Sequence, residues 1–130
     1  GECLGAGRVL RLDANQAWTL EEAVRFAELV GEEALSAVEY IEEPLSNPGQ
    51  LPEFFDRTGL RYALDESIEG GLFPALAGKR GLAALVVKPS VLGGIEPCRK
   101  LAIEAGPGVQ MVVSSAFETS LGLSHMAAWA

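Results

Sequence analysis

The sequence predicts an α/β fold on a parallel sheet, in the order βαβαβαβαβα. Three observations carry that prediction. Five short runs are almost wholly apolar, and segments of helical periodicity or turn chemistry separate them. Strand onsets recur at intervals of roughly 21 to 30 residues, the rhythm of a (β/α)8 barrel or of a doubly wound sheet. Polar side chains collect at the end of each apolar run, as they do at the ligand-binding rim of both fold types.

Each element has a local reason. Residues 8–13, RVLRLD, read as a strand running into a loop at ANQAW. Thr19 stands three residues before Glu22, a capping-box spacing. The helix that follows, LEEAVRFAELV, places Leu20, Ala23, Val24, Ala27 and Val30 on one face, and Gly31 helps to end it. Residues 38–42, VEYIE, form a second strand that Pro44 stops. LPEFFDR is a short helix closed by Gly59, and residues 61–65, RYALD, are a third strand. GLFPALAG supports at most a short helix. Residues 82–88, LAALVVK, are a fourth strand ended by a proline. GIEPCRKLAIEAG is a helix with Pro97 near its first turn, where a missing N–H costs nothing. Residues 109–115, VQMVVSS, are the fifth strand, and SLGLSHMAAWA begins a further helix.

Composition narrows the class. In 130 residues, 48% are hydrophobic and 22% charged, a balance foreign to disordered chains. No apolar run reaches the length of a membrane span, and no basic segment precedes an apolar one at the start, so neither a membrane partner nor a signal peptide is expected. Gly1 need not be the native start, because no initiator Met is present. A net charge of −8 argues against nucleic acid as a partner. Cys3 and Cys98 fit no disulfide framework and are expected as free thiols in a reducing compartment. Neither GxGxxG after the first strand nor GxxxxGK[ST] occurs, which weakens the dinucleotide and P-loop readings.

The strand ends read LDAN, IEEP, LDES, VKPS and VSSAFE. A parallel sheet puts them on one rim, bringing Asp13, Glu42, Asp65 and Lys88 together. Any one acid at a strand end is ordinarily a turn or capping residue. Three carboxylates on three successive strands repel one another unless something positive lies between them. An oxygen-only ligand set suits a hard cation, Mg2+ before zinc or copper. Lys88 leaves an apolar strand, so it either loses its proton readily or stays charged and faces an anion. Alternation lets only one of Glu42 and Glu43 face the site. Glu39 receives no role. His125 is expected as a packed or surface residue, Trp18 at rim or core, Trp129 in helix packing, and Cys98 as inert.

Five segments, RLDANQAW, VEYIEEPL, YALDES, VVKPSVLGG and SSAFETSLGL, together resemble the enolase superfamily and within it the o-succinylbenzoate synthase family. The spacings, 29 residues from Asp13 to Glu42 and 23 from Glu42 to Asp65, are similar to that family's. The last segment points most to the synthases, since dipeptide epimerases and N-acylamino-acid racemases share much of the rest. The resemblance implies a partial (β/α)8 TIM-like barrel made of barrel strands three to seven, with residues 1–130 one partial catalytic barrel domain. It implies that the N-terminal capping domain and the first two strands are absent from this chain. It places the metal ligands at Asp13, Glu42 and Asp65, with Mg2+ as cofactor and Mn2+ as a substitute, and so selects Glu42 over Glu43. Glu43 is then expected to point away, into a salt bridge or the turn at Pro44.

The sixth-strand lysine of the family falls on Lys88, a cation held against the reacting intermediate in a synthase and one of two bases in an epimerase. Asn15 falls beside the metal, Glu66 where a carboxylate accompanies that lysine, Gly93 and Gly94 where substrate approaches closely, and Ser114 and Ser115 along the substrate's succinyl or carboxylate end. The implied reaction is Mg2+-assisted dehydration of a small-molecule carboxylate, 2-succinyl-6-hydroxy-2,4-cyclohexadiene-1-carboxylate, to o-succinylbenzoate in menaquinone or phylloquinone synthesis. The implied location is the cytoplasm, or the plastid stroma in a photosynthetic eukaryote. The family's base lies in a KxK motif on the second strand, and no KxK occurs here. These 130 residues alone are therefore expected to show little or no turnover, and to self-associate through open sheet edges.

Overall fold

A computed structural model describes residues 9–116 and 118–130. Five strands, β1 (Leu10–Asp13), β2 (Val38–Glu42), β3 (Tyr62–Leu64), β4 (Leu82–Val87) and β5 (Gln110–Val113), form one parallel sheet in the order β1-β2-β3-β4-β5. A doubly wound sheet needs a reversal of strand order. There is none here, so successive crossovers keep their helices on one face and the sheet curls as part of a (β/α)8 barrel wall. The strands match the expected runs closely, ending one or two residues earlier at the third, fourth and fifth.

Between the strands lie α1 (Leu20–Val30), α2 (Glu32–Leu35), α3 (Leu51–Thr58), α4 (Glu66–Glu69), α5 (Phe73–Leu76), α6 (Pro89–Leu92), α7 (Ile95–Ala105) and, after β5, α8 (Ser120–Trp129). A single 3-10 turn, Pro48–Gln50, leads into α3. Helix α1 starts at the expected box: the Thr19 hydroxyl accepts from the Glu22 N–H, and the Glu22 carboxylate accepts from the Thr19 N–H at 2.8 Å. It buries Leu20, Ala23 and Ala27. Helices α2, α4 and α6 were not expected; each is a single turn, too short for periodicity to show. Helices α4 and α6 start directly at the ends of β3 and β4, so a site residue occupies the strand-to-helix switch in both cases.

Alternation along the strands sorts two apolar clusters. Ile41, Tyr62, Leu64, Leu82, Leu85 and Val87 face the helices and pack with Leu20, Leu51, Phe54 and Phe73. Tyr40, Ala63, Ala84 and Val86 face the concave side with Val112. Trp18 packs against the first cluster and stacks on Phe26 at 4.9 Å, and Trp129 also packs there. His125 lies exposed on α8. Cys98 is a buried free thiol whose burial raises its pKa, in keeping with an inert role, and Cys3 lies outside the described residues.

At the N-terminal ends of the strands, Arg11 Nε donates to Glu39 (2.7 Å) and Arg11 Nη2 to Gln110 Oε1 (3.2 Å). Gln110 Nε2 closes the triangle on Glu39 at 2.9 Å. Arg11 and Gln110 belong to the first and last strands of the sheet, so these bonds span its concavity. Glu39, given no role above, is the acceptor common to both. No helix among the described residues is long and apolar enough to cross a membrane.

Candidate active site

Register places the polar strand ends on one face. Asp13 is the cross-strand partner of Glu42, and Glu42 of Ala63. Asp65 lies two residues beyond Ala63 and so shares its side of the sheet. On the next pair, Val87 partners Val113, which leaves Lys88 and Ser114 adjacent just past the ladder. The Ser114 N–H donates to the Val87 carbonyl at 2.9 Å. Asp13, Glu42, Asp65, Lys88 and Ser114 thus share the concave face, at the C-terminal ends of five successive strands.

The lysine is held tightly. Lys88 Nζ donates to both Asp65 oxygens at 2.6 Å and to Glu69 Oε1 at 3.4 Å. Burial pulls the Lys88 ammonium down, but its hydrogen bonds and charge attraction to Asp65, with Glu69, outweigh this and hold it above the ordinary lysine value. Glu42 has no such relief. Burial, the charges of Asp13 and Asp65, a hydrogen bond shared with Asp65 and the charge of Glu66 push it up to about 7. Glu66 is raised as well, first by burial, with the charges of Asp65, Glu43 and Asp13 adding to it.

Asp13 is oriented by its own turn. Its Oδ1 accepts from the Asn15 N–H at 2.9 Å, and Asn15 and Gln16 both take left-handed backbone angles, φ 47° and 57°. The exposed side chain of Asn15 stands at this turn. Gly93 ends α6 at φ 88° and Gly94 begins α7 at φ 121°, with open space where a Cβ would sit on either. Ser115 turns toward α8. There, Val113, Ser114, Ser115, Leu123, Met126, Ala127 and Ala130 line an open cavity of about 370 Å³. That cavity does not include Lys88 or the three strand-end acids.

Two expectations change. The carboxylate beside Lys88, in addition to Asp65, is Glu69 rather than Glu66; one turn of α4 carries Glu69 back toward the lysine, while the buried Glu66 Oε2 has no hydrogen-bond partner among the described residues. Glu43 does point away from Asp13 and Lys88, but into the protein and not into a salt bridge. It is fully buried, and its Oε1 accepts from the N–H groups of Asp65 (2.9 Å) and Ser67 (2.7 Å). Its Oε2 accepts from Ser67 Oγ (2.8 Å) and Gln16 Nε2 (3.1 Å). Gln16 and Glu69 were missed in the sequence, and Ser67 was noted only as part of the strand end LDES. For Glu69 a signal existed, an acid one helical turn past a strand end in LDESIE.

The donor set fits a hard divalent cation by its chemistry. It is all oxygen, it comes from three adjacent strand ends, and burial, with the charges of Asp13 and Asp65 adding to it, pushes Glu42 up to about 7. As the side chains stand, no three acids among the described residues are drawn together closely enough to hold an ion. In this arrangement Asp65 accepts from Lys88 with both oxygens, and Asp13 accepts with one from its own turn.

Residues 2–130 match the family model for the enolase C-terminal domain-like fold, and the chain belongs to that family. Among curated proteins it is similar to the o-succinylbenzoate synthases of Yersinia enterocolitica and Aliivibrio salmonicida, each 40% identical over 119 residues. Those matches cover 91% of this chain and 36% of either relative, so the chain spans about a third of their length. Among solved structures, an enolase from Pseudomonas fluorescens with bound magnesium, potassium and tartrate superposes with a TM-score of 0.78 at 26% identity, over 94% of this chain and 28% of that one. The o-succinylbenzoate synthase of Thermosynechococcus elongatus, with magnesium in its active site, gives 0.74 at 24% identity over 97% and 41%, a likeness of fold.

Proposed function

We propose that this chain is the part of an o-succinylbenzoate synthase barrel that carries strands three to seven, and that the whole protein eliminates water from 2-succinyl-6-hydroxy-2,4-cyclohexadiene-1-carboxylate. The observation that carries the reading is the placement of Asp13, Glu42, Asp65 and Lys88 on one face at successive strand ends. The 40% identity to curated synthases supports the choice of reaction. Asp13, Glu42 and Asp65 would hold Mg2+, or Mn2+ in its place. When bound, the ion supplies positive charge for the substrate carboxylate and for the negative charge that grows on it as the α-proton leaves.

The chain's own residues supply part of the rest, the base excepted. The contacts with Asp65 and Glu69 that hold Lys88 as an ammonium support its reading as a fixed cation beside the developing charge and not as the acceptor of the α-proton. The α-proton would pass to the second-strand lysine that the resemblance places outside these 130 residues, the C–H electron pair would move into the ring, and the 6-hydroxyl would depart as water with a proton returned by that base, aromatisation driving the step. Ser114 adjoins Lys88 and offers a hydroxyl to the substrate's carboxylate or succinyl end. Gly93, Gly94 and Asn15 leave room and polarity at the rim.

The test uses the full-length protein with the cyclohexadiene carboxylate and Mg2+. Formation of o-succinylbenzoate is expected. Asp65→Asn should lower kcat/KM by at least the ~10- to 100-fold that losing even a supporting partner of a metal ligand costs. Unchanged turnover in that variant would remove Asp65 from the site. Exchange of the α-hydrogen of N-acylamino acids in D2O, without synthase activity, would replace the reaction with a racemase's.

A further inference from the structure

A buried carboxylate with no cation beside it requires a reason. Glu43 is 0% exposed, and among the described residues no lysine or arginine forms an ion pair with it. Four donors surround it instead: two backbone N–H groups, one hydroxyl and one side-chain amide. These donors come from two different segments. Asp65 caps α4 and Ser67 lies in its single turn, whereas Gln16 belongs to the turn after β1. Glu43's backbone repeats the pattern, its N–H donating to the Ala63 carbonyl (3.0 Å) and its C=O accepting from the Gln16 N–H (2.7 Å). Its φ is 40°, a left-handed angle unfavourable for glutamate, and Asn15 and Gln16 share that property. One residue thus ties together the three strand ends that carry Asp13, Glu42 and Asp65.

We propose that Glu43 is the positioning residue of this rim. It fixes the Asp65-bearing turn and the Asn15–Gln16 turn so that the acids of three strands, which share one face, can converge on an ion. The inference rests on the functional reading above, because convergence matters only if those acids share an ion. Glu43 does not touch that ion. It acts through the Asp65 and Ser67 amides and through Gln16.

Two variants separate reach from charge. Glu43→Asp keeps the charge but is one methylene short of its donors. Glu43→Gln keeps the reach: its amide oxygen can take the Asp65 and Ser67 N–H groups while the Ser67 hydroxyl and Gln16 amide reorient to accept. In the full-length protein, Mn2+ affinity is read from the EPR signal of free Mn2+. Backbone exchange at Asp65 and Ser67 is read in the metal-free protein by hydrogen–deuterium exchange.

Glu43→Asp should weaken Mn2+ binding by ~10- to 100-fold and speed exchange at both amides, with Glu43→Gln clearly milder in both. The opposite ranking, Gln worse than Asp, would show that charge and not position is what matters, and would overturn the proposal. Lower thermal midpoints with unchanged Mn2+ affinity in both variants would reduce Glu43 to a fold residue and overturn it too. A wild-type protein that binds no Mn2+ would sink the functional reading and, with it, the convergence of ligands, even if exchange at Asp65 and Ser67 still depended on Glu43.

Discussion

At the scale of single residues, the rim is a balance of like charges in which each acid has a different fate. Asp65 is neutralised by Lys88, Asp13 is steadied by an N–H, and Glu42 is left to carry the repulsion. This gives a pH dependence with a definite sign. In the metal-free protein Glu42 is raised from its ordinary value to about 7. The folded state therefore binds more protons than the unfolded state between those two values. The stability that Glu42 contributes is complete below its unfolded pKa and lost as pH rises through about 7. Thermal midpoints of the metal-free full-length protein should fall more steeply from pH 5 to pH 8 than those of Glu42→Gln. Mg2+ binds the deprotonated form, so below pH 7 its apparent affinity should drop by up to about tenfold per pH unit, with proton release measurable by calorimetry. Equal midpoint slopes in wild type and Glu42→Gln would show that Glu42 is not the group under strain. Strand alternation and parallel order made Asp13, Asp65, Lys88 and one of Glu42 and Glu43 legible as a shared rim, and the family resemblance chose Glu42. Glu43 was legible only as a residue facing elsewhere. Its four donors lie at the start of α4 and in the turn after β1, and no local pattern reports a contact 22 to 27 residues away.

At the scale of elements, the clearest signals were caps and glycines. The box at Thr19 and Glu22 was readable as spacing, and it starts α1 where expected. Thr19→Ala should cost about 1 kcal/mol in urea unfolding of the full-length protein, since it strips one end of the box. Gly81 is more demanding. It precedes β4 at φ 86°, and a Cβ there would come within 2.5 Å of Phe55 Cγ and 2.6 Å of its Cβ. Gly81→Ala should cost about 1–3 kcal/mol for overpacking and about 1–2 kcal/mol for the left-handed backbone, well above Thr19→Ala in the same measurement. A Gly81→Ala protein as stable as wild type would mean that Phe55 yields freely. Nothing in the local sequence around Gly81 announced this, because the neighbour that forbids a side chain sits on α3. The single-turn helices escaped for a related reason: four residues make no period, and α4 and α6 exist because the chain turns sharply at Asp65 and Lys88.

At the scale of the molecule, the sheet runs through five strands without reversal, and this decides between the two architectures that periodicity alone allowed. The Arg11–Glu39–Gln110 triangle joins its outer strands across the concave side. Gln110 is exposed and Arg11 about half so, so Gln110→Ala should change unfolding free energy by only about 0–1 kcal/mol. The hold of Lys88 on Asp65 reaches further. A ring of acids normally resists assembly until an ion from outside arrives to quiet it. Here the chain brings its own ammonium to the most buried of the three acids, so folding need not wait. Making the protein and charging it with a divalent ion become two events separated in time, the first encoded in the chain and the second set by the ions that surround it.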